Sequence, residues 1–167
     1  APRDFPVVLF GAGHVGAALV RVLATLPCHV RWVDERDAQF PEPGTLGAAN
    51  VTIDANDAPD EAVDKAAPHT YFIVMTHNHA RDLDLAERIL RRGDFAFFGM
   101  IGSHTKRKQF EHRLAARGFD PVAIARMKCP LGVDGIVDKS PEIIAISAAA
   151  QLLQAVEANA AHTVQTA

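Results

Sequence analysis

Cysteine is scarce: Cys28 and Cys129 are the only two in 167 residues. They lie far apart and form no Cys-x-x-Cys pair. That excludes a disulfide framework and a zinc-ligand cluster, and it suits a reducing compartment. A basic excess is also lacking. The net charge of −3 offers no grip on a nucleic-acid backbone or an anionic bilayer, so neither nucleic acid nor membrane is expected as a partner. No uninterrupted apolar run reaches the roughly 18 residues that cross a bilayer, and no signal-peptide pattern precedes Val7. The expected setting is the cytoplasm. There is no internal repeat and no low-complexity segment. No Ser-His-Asp set or paired carboxylates stand out, and there is no room for a separate substrate domain. These absences weigh against a self-contained dehydrogenase.

What is present is 49% apolar and 22% charged residues, a composition that builds one ordinary domain. A single domain over 1–167 is expected, with its core over roughly residues 7–157. Because the fold starts so early, the chain could be one domain of a longer protein. The clearest signal is Val7-Val8-Leu9-Phe10 running into Gly11-Ala12-Gly13-His14-Val15-Gly16. An apolar strand, a Gly-x-Gly-x-x-Gly turn and an amphipathic helix form the phosphate-binding opening of a dinucleotide-type fold. Val15, Ala18, Leu19, Val22, Leu23 and Leu26 make the helix's apolar stripe, and Pro27 ends it.

Further strands are expected at Val30–Val33, Val51–Ile53, Tyr71–Met75, Phe95–Ile101 and Met127–Leu131. Helices are expected over Asp57–Ala67, Ala80–Arg92 and Ser103–Arg117, with Gly118 as the stop of the last. A short turn of helix opens at Asp120-Pro121. A final helix, capped by Ser140, runs from Pro141 to about Glu157 and is apolar almost all round, hence buried in the domain or against a second subunit; the last ten residues are expected to fray. Gln39 to Asn50, with Pro41, Pro43, Gly44 and Gly47, reads as a loop. Strands alternating with helices predict an α/β, Rossmann-like, doubly wound and mostly parallel six-stranded sheet with helices on both faces. Ligands of such sheets sit beyond the carboxyl ends of the strands.

Five post-strand segments should therefore share one crevice. Gly11, Gly13, His14 and Gly16 would meet a phosphate. Asp34 would take ribose hydroxyls or simply satisfy a turn, and Arg36 beside Glu35 could soften the rejection of a 2′-phosphate. Thr76, His77 and His79, with Asp82 a turn later, could contact a ligand, ligate a metal or close a turn; no metal site is assigned. Gly102 and Ser103 lead into Lys106 and Arg107, two cations that favour a bound anion unless they form a solvated face paired with Glu111. Cys129 is either a buried apolar thiol or a sulfur-relay or ligand-contact residue.

Several segments together resemble one family. They are Phe10-Gly11-Ala12-Gly13-His14-Val15-Gly16, Thr76-His77-Asn78-His79-Ala80-Arg81-Asp82, Met100-Ile101-Gly102-Ser103-His104-Thr105-Lys106-Arg107, Cys129-Pro130-Leu131-Gly132 and Lys139-Ser140-Pro141-Glu142-Ile143-Ile144-Ala145-Ile146-Ser147. From about Val7 to Leu153 the chain resembles the carboxy-terminal Rossmann domain of the XdhC/CoxI family of xanthine dehydrogenase accessory proteins. The resemblance implies a maturation chaperone that binds the molybdenum cofactor, supports its sulfuration and delivers it to a molybdenum hydroxylase apoenzyme. It carries over Gly11, Gly13, Gly16, His77, His79, Gly102, Ser103, Lys106, Arg107 and Cys129 as candidate contacts. A cysteine desulfurase is a further expected partner, and the apolar last helix makes a homodimer expected. The amino-terminal domain usual in that family is not in this sequence. Two alternatives remain: an NAD(P)-dependent oxidoreductase using His77 and Lys106, and a nucleotide-binding regulatory module dimerising through the last helix.

Overall fold

A computed structural model describes residues 4–35, 40–41 and 46–166; for 162–166 it describes the backbone only. Arg36, Gln39, Pro43 and Gly44, named in the expectations above, lie outside the described residues.

Apolar runs become buried parallel strands. β1 (Phe5–Phe10) lies at the centre, paired in parallel with β2 (Cys28–Asp34) on one side and with β4 (Tyr71–Val74) on the other. β3 (Val51–Ala55) flanks β2, and β5 (Phe97–Met100) and β6 (Met127–Lys128) extend the other side. The order is β3-β2-β1-β4-β5-β6, all parallel. Chain order reverses between β1 and β4, which makes their carboxyl ends the switch point where open α/β sheets bind ligands.

Side chains alternate between the two faces. Val7 and Leu9 of β1 join Trp32, Tyr71 and Ile73 beneath α1 (His14–Leu23) and α6 (Pro141–Thr166). Val8 and Phe10 join Val33, Phe72, Val74, Phe98 and Met100 on the opposite face. That face is covered by α2 (Asp60–Lys65), α3 (His79–Arg92), α4 (His104–Ala116) and α5 (Pro121–Ala125). The expected six-stranded, doubly wound α/β sheet is the observed one.

Several elements differ in extent: β5 is shorter than Phe95–Ile101, β2 is longer than Val30–Val33, and three further differences have a clear local cause. β6 has two residues rather than five, because Pro130 has no N–H to offer the ladder; Leu131 N nonetheless donates to Met100 O at 3.0 Å. α2 is shorter than Asp57–Ala67, since Asn56 Oδ1 accepts from Ala58 N and holds a turn before it. α6 does not fray at Glu157 but continues to Thr166. Its buried stripe of Ala145, Ala148, Ala149, Leu152 and Val156 packs with α1, the small residues allowing close approach, while Ile146 is 56% exposed. By length and mean hydropathy α6 could cross a membrane; here one face is committed to the domain core. Ser140 opens α6, its hydroxyl donating to Asp138 and its carbonyl accepting from Ile143 and Ile144.

Candidate functional site

The turns after β1, β2, β4, β5 and β6 line the carboxyl edge of the sheet. At Gly11 the chain takes φ +120°, a conformation that L side chains rarely adopt. Gly11 N donates to Val33 O at 2.8 Å, and Gly11 O accepts from Trp32 Nε1 at 2.8 Å. A Cβ on Gly16 would stand 2.2 Å from Gly11 O, so helix and turn are in backbone contact. Gly13 is the first residue before α1. It carries no side-chain cap, and the first turn holds no acidic residue. The amide N–H groups of that turn, which no intrahelical carbonyl can satisfy, therefore have no side-chain cap from Gly13 and no acidic residue within the turn. His77 lies against this loop: a Cβ on Gly13 would come 2.4 Å from His77 Nε2. His14 is exposed at the helix start.

Asp34 ends β2 and is 7% exposed. Its Oδ2 accepts from Ala12 N at 2.8 Å, tying the end of β2 to the glycine turn. Glu35 pairs with Arg81 of α3 at 2.8 Å. Between these groups lies a cavity of about 150 Å³. Phe10, Val33 and Pro59 supply its apolar wall; Asp34, Glu35, Thr76, His77, Asn78 and Arg81 supply the polar one.

The β4 and β5 turns are knotted together instead. Asn78 caps α3 by accepting from Arg81 N at 3.0 Å, and Ser103 caps α4 by accepting from Lys106 N at 3.1 Å. Thr76 Oγ1 donates to Asp82 Oδ1. Lys106 Nζ donates to Asp82 Oδ2 at 2.8 Å and to Ile101 O at 2.8 Å, and sits 5.3 Å from the centre of the Phe110 ring. Both side chains of this pair are buried, with 7% of Lys106 and none of Asp82 exposed. Gly102 fits because a Cβ there would lie 2.6 Å from Lys106 Cδ and 3.2 Å from Cys129 Sγ. Burial pushes the Cys129 thiol up; Lys106 and then Arg107 oppose that shift.

Of the expected residues, Asp34, Thr76 and His77 line the cavity; Gly13 lies against His77, Gly16 packs on Gly11 O, and His14 opens α1. Gly102, Ser103, Lys106 and Cys129 form a second group, joined to the first through Thr76 and Asp82. Lys106 turns inward to Asp82. Arg107 pairs with Glu111 at 2.9 Å, the solvated-face arrangement. His79 turns away from His77 to meet Phe110 edge-on at 6.4 Å. Among the described residues no group of three or more His, Cys, Asp or Glu is placed to hold a metal ion. Pro59 is not singled out by the sequence, and the pairing of Glu35 with Arg81 is not legible there, since no motif links segments so far apart. Ser147 and Gln151 of α6 also have a part: Ser147 Oγ accepts from Val133 N at 2.9 Å, and Gln151 Oε1 accepts from Gly132 N at 2.8 Å. They fix the turn after Pro130.

Residues 7–152 match the family described as the XdhC Rossmann domain. No relative of curated function matches the chain in sequence. A crystal structure from Bacillus halodurans, described as a xanthine dehydrogenase, is similar to this chain with a TM-score of 0.74 at 24% identity. The likeness covers 93% of this chain and 43% of that one; the present chain therefore spans less than half the length of that structure. With the family match extending over nearly the whole sheet and its helices, the chain belongs to the XdhC family through its Rossmann domain.

Proposed function

We propose that this domain holds the molybdenum cofactor for a xanthine dehydrogenase-type molybdenum hydroxylase while the cofactor is matured and delivered. One observation carries the proposal. Among the described helices, α1 alone begins with neither a side-chain cap nor an acidic residue in its first turn, and it does so beside the cavity. An uncapped helix start beside a cavity suits the phosphate end of a pterin cofactor. The donors fit the group: amide N–H groups of the first α1 turn would take the phosphate, and His14 and His77 flank it. The His77 ring lies directly against the glycine turn, where a Cβ on Gly13 would come 2.4 Å from His77 Nε2. When bound, the cofactor supplies the molybdenum centre; the residues of this chain bind it, orient it and limit its exposure to water. Gly102, Ser103 and Cys129 stand farther along the same edge, where the rest of such a cofactor would run.

The same proposal includes delivery to the hydroxylase apoenzyme, sulfur supplied by a cysteine desulfurase, a homodimer and a cytoplasmic setting. The test is retention. The protein is mixed with molybdenum cofactor released from a donor enzyme, gel-filtered, and its fractions are oxidised and read for pterin fluorescence. Co-elution is expected. Absence of pterin with both this chain and a longer parent protein would overturn this role.

A second function, NAD(P)-dependent oxidation, is favoured by Asp34 at the end of β2. Titration with NADH and NADPH, read by cofactor fluorescence, decides it. No binding at millimolar cofactor removes it.

A further inference from the structure

We infer that Lys106, Asp82 and Thr76 form a relay that seats the His77 ring against the start of α1, which makes them positioning residues for an anion bound there. The anion's identity rests on the proposed cofactor role; the relay rests on the contacts of this chain alone. Lys106 acts on such a ligand without touching it.

The bonds run in one line. Lys106 Nζ donates to Ile101 O and to Asp82 Oδ2, both at 2.8 Å. Thr76 Oγ1 donates to the other carboxylate oxygen, Asp82 Oδ1, and accepts from Asn78 N at 3.2 Å. Asn78 Oδ1 in turn accepts from Arg81 N at 3.0 Å. The residues on both sides of His77 are thus tied down. Among the described residues the His77 imidazole itself has no hydrogen-bond or ion-pair partner. Its place is set by its neighbours, and that place is the glycine turn, where a Cβ on Gly13 would come 2.4 Å from Nε2. Gly13 is the residue that leaves α1 without a side-chain cap. A ring at that spot reaches an anion on the open amides, and a misplacement of about 1 Å is enough to weaken such a contact.

The cost of the relay argues for this role. Lys106 exposes 7% of its side chain and Asp82 none. Two charges taken out of water regain little more than their desolvation, and an apolar pair of similar volume often stabilises as well. An apolar pair cannot orient a hydroxyl. What the ion pair adds is direction: one oxygen of Asp82 is held by the ammonium, so the other faces Thr76 and fixes the turn that carries His77. The hydrogen of that hydroxyl is committed to Asp82, so Thr76, although it lines the cavity, offers a ligand only lone pairs. Lys106 is committed too. An anion could draw it outward only by stranding the fully buried Asp82 carboxylate.

The experiment has two readouts. The first needs no ligand: NOEs from the His77 ring to the Gly13 α-protons, with the ring signals assigned by their loss in His77→Gln. They are expected in the unaltered protein and in Thr76→Ser, which keeps the hydroxyl, and should vanish in Thr76→Val, which keeps the volume. The second is pterin recovered per protein after gel filtration with limiting molybdenum cofactor released from a donor enzyme. Thr76→Val and His77→Gln should each lower it about tenfold, and Thr76→Ser by less than about twofold. Thr76→Val combined with His77→Gln should lose no more than His77→Gln alone, because a residue that acts through His77 then has nothing to act on. Asp82→Leu with Lys106→Met should retain pterin as poorly as Thr76→Val even with its unfolding midpoint restored; should that pair not fold, the Thr76 variants decide alone. NOEs absent from the unaltered protein or persisting in Thr76→Val would overturn the relay. So would unchanged retention in Thr76→Val, losses that add in the combined variant, or retention restored along with stability in the apolar pair. If the unaltered protein retains no pterin while the NOEs follow the Thr76 hydroxyl, the relay stands and the cofactor role falls.

Discussion

Two strand-to-helix turns lie side by side on this sheet and do opposite things. The turn after β1 leads into α1 through glycines and leaves the helix start open. The turn after β4 leads into α3 through Thr76, His77 and Asn78 and closes on itself: Asn78 caps, Thr76 reaches Asp82, and Asp82 is held by Lys106 from α4. Position in the fold does not decide which turn can take an anion. Side-chain chemistry does. Glycine has no side chain to accept a helix N–H, so its helix start stays available; asparagine has one, and Asn78 Oδ1 already accepts from Arg81 N. The closed turn in turn supports the open one, because it carries His77 against Gly13.

The largest effect should come from unlocking the closed turn. Lys106→Met strands the Asp82 carboxylate, which is fully buried, and should cost about 3–5 kcal/mol in urea unfolding. The pair Asp82→Leu with Lys106→Met should recover most of that loss, since apolar replacements of a buried ion pair are often neutral. A single-variant loss below about 1 kcal/mol, typical of surface pairs, would show that the lock is not one. Next, Gly16→Ala would drive a Cβ to 2.2 Å from backbone at Gly11 O, for an expected cost of about 1–3 kcal/mol together with lost cofactor retention.

A finer comparison sets Asn78→Ala against Gly13→Ala. The first removes a cap and should cost about 1 kcal/mol, with cofactor retention affected only through His77. The second meets the tip of a side chain that can swing away and trades glycine for alanine at an N-cap, so unfolding should move by no more than about 1 kcal/mol while pterin co-elution drops. If both variants changed stability and retention in proportion, the two turns would not differ in kind.

The smallest effect concerns protons. Burial raises the Cys129 thiol above its ordinary value, and raises Cys28 from 9.0 to about 11. The folded state thus holds these protons to higher pH than the unfolded chain does. Stability from this source is complete below pH 9.0 and falls as pH rises from there towards about 11. Urea midpoints taken across that range should decline, and a thiol reagent at pH 8 should label the native protein far more slowly than the unfolded one. A rising midpoint would contradict the burial of both thiols.

The sheet was legible because its signal is local: apolar runs, glycine and proline punctuation, and a helix period between them. The crevice followed, since strand carboxyl ends are collected by topology. Side-chain destinations were not legible. Lys106 and Asp82 are separated by 24 positions, and nothing in either neighbourhood says that they face each other across two helices. The same holds for Glu35 and Arg81, 46 positions apart. His77 and His79 share a motif yet part company, because α3 begins between them and turns the second towards Phe110. The length of α6 was misjudged for a related reason. Beyond Glu157 it no longer shows an apolar stripe, but Asn159 Nδ2 donates to Tyr71 Oη at 2.9 Å.

That last contact makes α6 a gauge of the sheet. At one level Ser147 and Gln151 grip the turn that follows Pro130; eight residues after Gln151, about 12 Å along the axis, Asn159 grips the start of β4. One residue inserted between those grips would rotate the second by about 100° relative to the first, so only one could stay seated. The stretch between Gln151 and Asn159 should therefore resist single-residue insertion and deletion, even though Gln154, Glu157 and Ala158 within it are exposed.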